Sequence, residues 1–171
     1  MKKTSRLFMA GLITLCFSLS TAAQSSQQDL DQVELMKKLA GTWIAETGKD
    51  SITIWEVVAF EKGYITTTHY KAKGQTYSTV KGIMGFNGNY RHLVLCQVWS
   101  NGYIGVDVGG FVSDTKLAME RYTPASKHVT MSYEADFITP NKFKAIIKWR
   151  GMKDTWDDAK VFEEIYNRTE K

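Results

Sequence analysis

From residue 42 onward, apolar and polar positions alternate in short runs separated by turn-forming residues. Val129, Met131, Tyr133, Ala135 and Phe137 fall on one side of such a run, with Thr130, Ser132, Glu134 and Asp136 on the other. In the next run Phe143, Ala145, Ile147 and Trp149 oppose Lys142, Lys144, Lys148 and Arg150. A period of two belongs to a strand with one dry and one wet face. The pattern predicts ten strands, at 42–47, 51–60, 64–73, 76–85, 92–100, 103–112, 116–122, 128–138, 142–150 and 160–168. Gly, Asn, Asp and Pro gather in the connections, and Asn101-Gly102 between two apolar runs is a two-residue hairpin signal.

Ahead of the strands, Leu30, Val33, Leu35, Met36 and Leu39 recur at helical spacing, and Gly41 is placed as a helix stop. A helix of about ten residues is unstable alone and has to pack on the strands. Ten strands with short links lose their edges by closing on themselves, and the helix then covers one end. The expected fold is therefore all-β, a single up-and-down antiparallel β-barrel of about ten strands with a short N-terminal helix, spanning 29–171. A two-sheet sandwich is the alternative.

The first residues read differently. Lys2, Lys3 and Arg6 precede an apolar run over 7–19, and Thr21-Ala22-Ala23 supplies small residues at a cleavage position. This is the form of a bacterial-type signal peptide, 1–23, followed by a polar, disordered tail at 24–28. The run is too short to span a bilayer, so no stable membrane insertion is expected after cleavage. Cys16 lies within it behind Thr14-Leu15 rather than a small residue, and reads as a discarded leader cysteine, not a lipid anchor. The expected location is exported, periplasmic or secreted.

Removing the leader changes the charge balance. The full chain has 22 basic and 18 acidic residues; without Lys2, Lys3 and Arg6 the count is 19 against 18, about +1. That balance gives no basis for nucleic-acid binding. One cysteine remains, Cys96, so no internal disulfide can form. It reads as a small buried hydrophobe.

Several polar residues ride on faces that ought to be dry. Gln97 shares a face with Leu93, Leu95 and Trp99; Arg121 with Leu117 and Met119; Asp107 with Tyr103, Phe111, Gly105 and Gly109. Burying such groups unpaired costs about 2–7 kcal/mol each, which a packed core would not accommodate. A partly hydrated cavity does, and roughly 300 Å³ or more is expected of a ligand site. A one-residue slip, or bulges at Gly85, Gly105, Gly109 or Gly110, would reassign these faces. The candidate lining is Trp55, Tyr70, Trp99, Tyr103, Met119, Tyr133, Phe143 and Trp149, with Gln97, Asp107 and Arg121 orienting the ligand's polar end. The expected partner is a small hydrophobic or amphipathic molecule.

Gly41-Thr42-Trp43 and Tyr166-Asn167-Arg168 resemble the signature of the calycin superfamily, which includes lipocalins and fatty-acid-binding proteins. The resemblance implies that Trp43 packs at the barrel base under Arg168, a cation–π closure. The chain looks closest to a bacterial lipocalin-like domain of unknown function, family 1579. That likeness is carried by Leu39-Ala40-Gly41-Thr42-Trp43, by Gly85-Phe86-Asn87 followed by 97–102, and by 164–168. The family has no agreed activity, so the resemblance speaks to fold. Nitrobindin-like haem barrels begin similarly but are expected to offer a histidine from the C-terminal region, and none lies beyond His128. No cofactor is expected.

His92 and His128 fall at strand starts, while His69 lies mid-strand and is the histidine expected to reach a cavity. No closely spaced metal-ligand set, Gly-x-Ser-x-Gly elbow or phosphate-cradling glycine loop is present, so no metal site and no catalytic residue is assigned. Two rivals to ligand binding remain. A cyclase- or isomerase-type barrel enzyme requires His69, Asp107 and Arg121 to converge. A non-catalytic envelope interaction protein requires a filled lumen and an exposed apolar patch. N-terminal sequencing of protein made in an exporting bacterium is expected to begin at Gln24; a start at Met1 or Lys2 would rule out the leader.

Overall fold

Asp31 opens the fold by capping one short helix, its side chain accepting the Glu34 N–H at 2.9 Å. The computed structural model describes residues 30–123, 128–151 and 153–169; the leader and tail at 1–28 lie outside them. Helix α1 covers Gln32–Met36 and tightens into a 3-10 turn at Lys37–Leu39. It is shorter than the periodicity implies because Ala40 is already extended and Gly41, at φ 126°, begins the first strand.

Ten strands follow: β1 Gly41–Gly48, β2 Ser51–Phe60, β3 Gly63–Ala72, β4 Gln75–Asn87, β5 His92–Trp99, β6 Ile104–Phe111, β7 Lys116–Tyr122, β8 Val129–Thr139, β9 Lys142–Trp149 and β10 Lys160–Arg168. Each pairs antiparallel with its successor, and β10 pairs back onto β1 to close the barrel. The all-β barrel expected from the alternation is the observed fold, and the sandwich is excluded.

The turns differ in detail. Lys73 and Gly74 both take the left-handed conformation between Ala72 and Gln75, a two-residue hairpin loop one position earlier than the Gly74-Gln75 link read from sequence. Asn101-Gly102 does not form a two-residue loop. Trp99 and Tyr103 flank three residues instead, with Gly102 at φ 82°, Gly102 N–H bonded to Trp99 O and Trp99 N–H to Tyr103 O. Register breaks fall at Glu46/Gly48, Tyr70/Lys71, Arg121/Tyr122 and Phe137/Thr139, not at Gly85, Gly105, Gly109 or Gly110.

The helical end of the barrel is solid. Trp43 packs edge-on against Phe143 at 4.8 Å and Phe137 at 6.1 Å, Phe111 stacks on Phe137, and Tyr166 stacks on Phe143 at 4.7 Å. Trp43, Phe111 and Phe143 are fully buried. The Trp43 ring N–H donates to Leu39 O at 2.8 Å, which ties the 3-10 turn to the plug. Arg168 pairs directly with Trp43 across the β1–β10 seam and lays its guanidinium 4.4 Å over the indole. Its Nη2 donates to Lys38 O, and its stem crosses the space a side chain at Gly41 would fill.

Gln32 joins the helix to the sheet. The last β5–β6 pair is Leu93 with Gly109, so Phe111 runs beyond its β5 neighbour. The Gln32 amide supplies what the strand would have: Nε2 donates to Phe111 O and Oε1 accepts the Phe111 N–H, both at 2.8 Å. Gln32 is only 6% exposed, so losing its side chain strands two backbone groups away from water. Gln32→Ala is expected to lower unfolding stability by about 1–3 kcal/mol with an unchanged denaturant slope. Chemical denaturation monitored by tryptophan fluorescence checks this.

Candidate functional site

Above the plug the aromatic packing gives way to a partly enclosed cavity of about 190 Å³. Leu39 reaches into its wall from the helical end, and Met84, Leu95, Leu117, Met119 and Ile147 supply apolar surface. The expectation of roughly 300 Å³ is corrected downward. Trp55, Tyr70, Tyr133 and Arg121 all project into the same lumen and occupy much of what the strands enclose.

One wall carries a polar network built by strand register. Asp107 on β6 faces Leu95 on β5 and Arg121 on β7, and Gln97 lies one inward step along β5. Arg121 donates from Nε to Asp107 Oδ1 at 2.6 Å, from Nη2 to Asp107 Oδ2 at 2.8 Å, and from Nη2 to Gln97 Oε1 at 2.5 Å. The same guanidinium lies 4.5 Å from the Trp99 ring centre. Gly105 makes this geometry possible: a Cβ there would stand 3.1 Å from Arg121 Cδ and 3.2 Å from the Trp99 ring. The two side chains are 13% and 7% exposed, so each charge depends on the other, and removing one partner of a pair buried this deeply costs about 3–5 kcal/mol.

Strands β3, β8 and β10 bring phenols to the cavity, with a carboxylate beside one of them. Tyr70, Tyr133 and Tyr166 line the cavity. Glu164 on β10 pairs with the fully buried Ala145 and therefore points inward. The Tyr166 hydroxyl donates to Glu164 Oε2 at 2.6 Å. Burial is the main cause that pushes the pKa of all three phenols up, and the negative charge of Glu164 adds to it in each case. Arg121 opposes the rise at Tyr70 without cancelling it. All three stay neutral hydrogen-bond donors at physiological pH.

A second hollow of about 510 Å³ lies at the opposite end from the helix. Trp99, Tyr103, Trp149 and Arg150 line it, and it shares Arg121 and Met131 with the inner cavity. Tyr103 is 40% and Trp149 54% exposed there. Arg121 thus stands between an inner chamber and an outer rim.

Of the candidate lining residues, Trp55, Tyr70, Gln97, Asp107, Met119, Arg121 and Tyr133 border the inner cavity. Trp99, Tyr103 and Trp149 border the outer hollow, where their strands reach the rim. Phe143 lies in the plug, edge-on to Trp43 and stacked on Tyr166, and does not line the cavity. Tyr166 and Glu164 were not singled out for the lumen, because adjacent Glu163 and Glu164 blur the alternation that marks an inner face. Thr68, Met131 and Ile147 lay on faces whose parity could have nominated them.

His69 does not reach the lumen. Its neighbours Thr68 and Tyr70 point inward, so the imidazole is on the outer face, where Nδ1 lies 3.2 Å from Thr79 Oγ1. The convergence of His69, Asp107 and Arg121 required of a barrel enzyme does not occur. Cys96 is likewise outward and exposed, because Leu95 and Gln97 take the inner positions on either side. It sits in an apolar row running Val58, Ile65, Ile83, Cys96 and Val106 across five paired strands. Among the described residues no group of three or more His, Cys, Asp or Glu side chains is arranged to hold a metal. No helix among them is long and apolar enough to cross a membrane.

No protein-family model matches the chain, and no curated protein matches it. Among solved structures it is similar to one described as the structure of EF1p2_mFAP2b bound to DFHBI. That likeness has a TM-score of 0.37 and 16% identity, and covers 81% of this chain and all of the other. None of these comparisons supports family 1579.

The buried phenols set an alkaline limit on stability. Their folded pKa values are raised above the unfolded value near 10.0, so the folded state binds protons more tightly there. The stability they confer is complete below about pH 10 and is lost as pH rises above it. The melting temperature is expected to fall above about pH 10, and more gently in Tyr133→Phe. Calorimetric scans across that range check the slope.

Proposed function

We propose that this protein binds a small amphipathic molecule in the inner cavity, with the outer hollow as its approach. The observation that carries this reading is the lumen itself. A barrel stabilised only by packing would continue its aromatic plug through the middle, but here the plug stops at Phe143 and a cavity of about 190 Å³ begins. Engineered apolar cavities of about 150 Å³ take up a molecule the size of benzene, so a ligand of one or two rings fits. A longer one would extend past Arg121 into the outer hollow. Mixed lining suits an amphipathic guest: methionine and leucine surface for its body, and Gln97, Asp107, Arg121 and the phenols for its polar end.

We further infer that the protein works after export, in the periplasm or outside the cell, which rests on the leader at 1–23. Its lipocalin-like kinship, to family 1579 in particular, is supported by the Trp43–Arg168 closure and the motifs around it.

Native mass spectrometry of protein purified from its own compartment tests the binding reading. A discrete small-molecule adduct is expected, and it should vanish in Met131→Trp, which fills space that the two hollows share beside Arg121. An adduct that survives this substitution lies elsewhere, and no adduct at all from the native source would overturn the reading.

A further inference from the structure

The inward charges of the barrel do not balance. Among the described residues, four charged side chains face inward below the rim: Asp107, Arg121, Glu164 and Arg168. Arg168 is spent at the base, over Trp43 and against Lys38 O. Asp107 and Arg121 neutralise one another through two hydrogen bonds. Glu164 is left over. It enters no ion pair among the described residues, and Lys160, which shares its face, stands exposed at the start of β10.

We infer that the cavity selects a protonated amine over a neutral or acidic ligand, a conclusion that rests on the lumen being the binding site. An incoming carboxylate would look for Arg121, whose Nε and Nη2 are already taken by Asp107 and Gln97, and would meet the field of Glu164. An ammonium meets the opposite conditions. Tyr166 occupies Glu164 Oε2 with one hydrogen bond, and a carboxylate has room for about four. Glu164 stands behind Tyr166, and Trp55, Tyr70, Tyr133 and Tyr166 line the cavity that its charge reaches, an aromatic setting that favours a cation. The phenols themselves stay neutral, so they add no competing charge. The guest is thus a compact amine on an apolar body: the ammonium beside the Tyr166 hydroxyl, in the field of Glu164, and the body against Met84, Met119 and Leu95.

Titration calorimetry with matched sets of probes tests this. Each set keeps one skeleton, phenyl, naphthyl or short alkyl, and varies the end group among amine, alcohol and carboxylate. The amine is expected to bind at least about ten-fold more tightly than its alcohol and carboxylate counterparts in one or more sets. Glu164→Gln should remove that preference, and an unchanged circular-dichroism spectrum shows that the variant is folded. Binding in which no set favours its amine, or a preference that survives Glu164→Gln, overturns the inference and leaves lumen binding intact. If no probe of any charge binds, lumen binding of such molecules falls with it.

Discussion

Everything in this barrel depends on the seam where its last strand meets its first. Strands joined by short hairpins pair with their neighbours without help, but β1 and β10 are separated by nearly the whole chain. Closing that gap has a large entropic cost. Contacts that exist only when the seam is shut offset it. Arg168 over Trp43 is one, worth about 2 kcal/mol when desolvated. Thr169 N–H to Thr42 O is another. Through Lys38 and Leu39 the same contacts fix the helix, so closing the wall and stopping the base are one event. Gly41 is favoured there because its φ of 126° is a backbone conformation that side-chain-bearing residues rarely adopt.

Once closed, the interior divides by depth. At the helical end, large aromatic groups fill the barrel and add the energy of tight packing. Higher up, the inner face turns to Gly105, Asp107, Gln97 and Arg121, a buried network that is weak support for stability but a strong constraint on orientation. Its position between the two hollows makes Arg121 the residue that both chambers share.

Period two carried the sequence reading as far as it went. Parity alone places Gln97 with Leu95, Asp107 with Gly105 and Arg121 with Met119, and so assembles the polar network from three strands that are remote in sequence. Parity says nothing of height along the strand. Phe143 and Trp149 share a face of β9, yet one is in the plug and the other at the rim, because only the barrel's stagger decides depth. The same rule, applied to Cys96 and His69, gives their outward positions; both were misjudged by residue type rather than by face. Gln32 was hidden for another reason. A polar residue on an amphipathic helix reads as solvated until the strand end that needs its amide is known.

The plug has a mechanical consequence. With Trp43, Phe111, Phe137 and Phe143 locked together at the base, this is a cup and not a tube. On the binding proposed above, a guest leaves by the way it entered. Filling and emptying therefore share one transition state, and any neighbour that bends the rim alters both rates alike while the equilibrium between them stays where the cup's interior sets it.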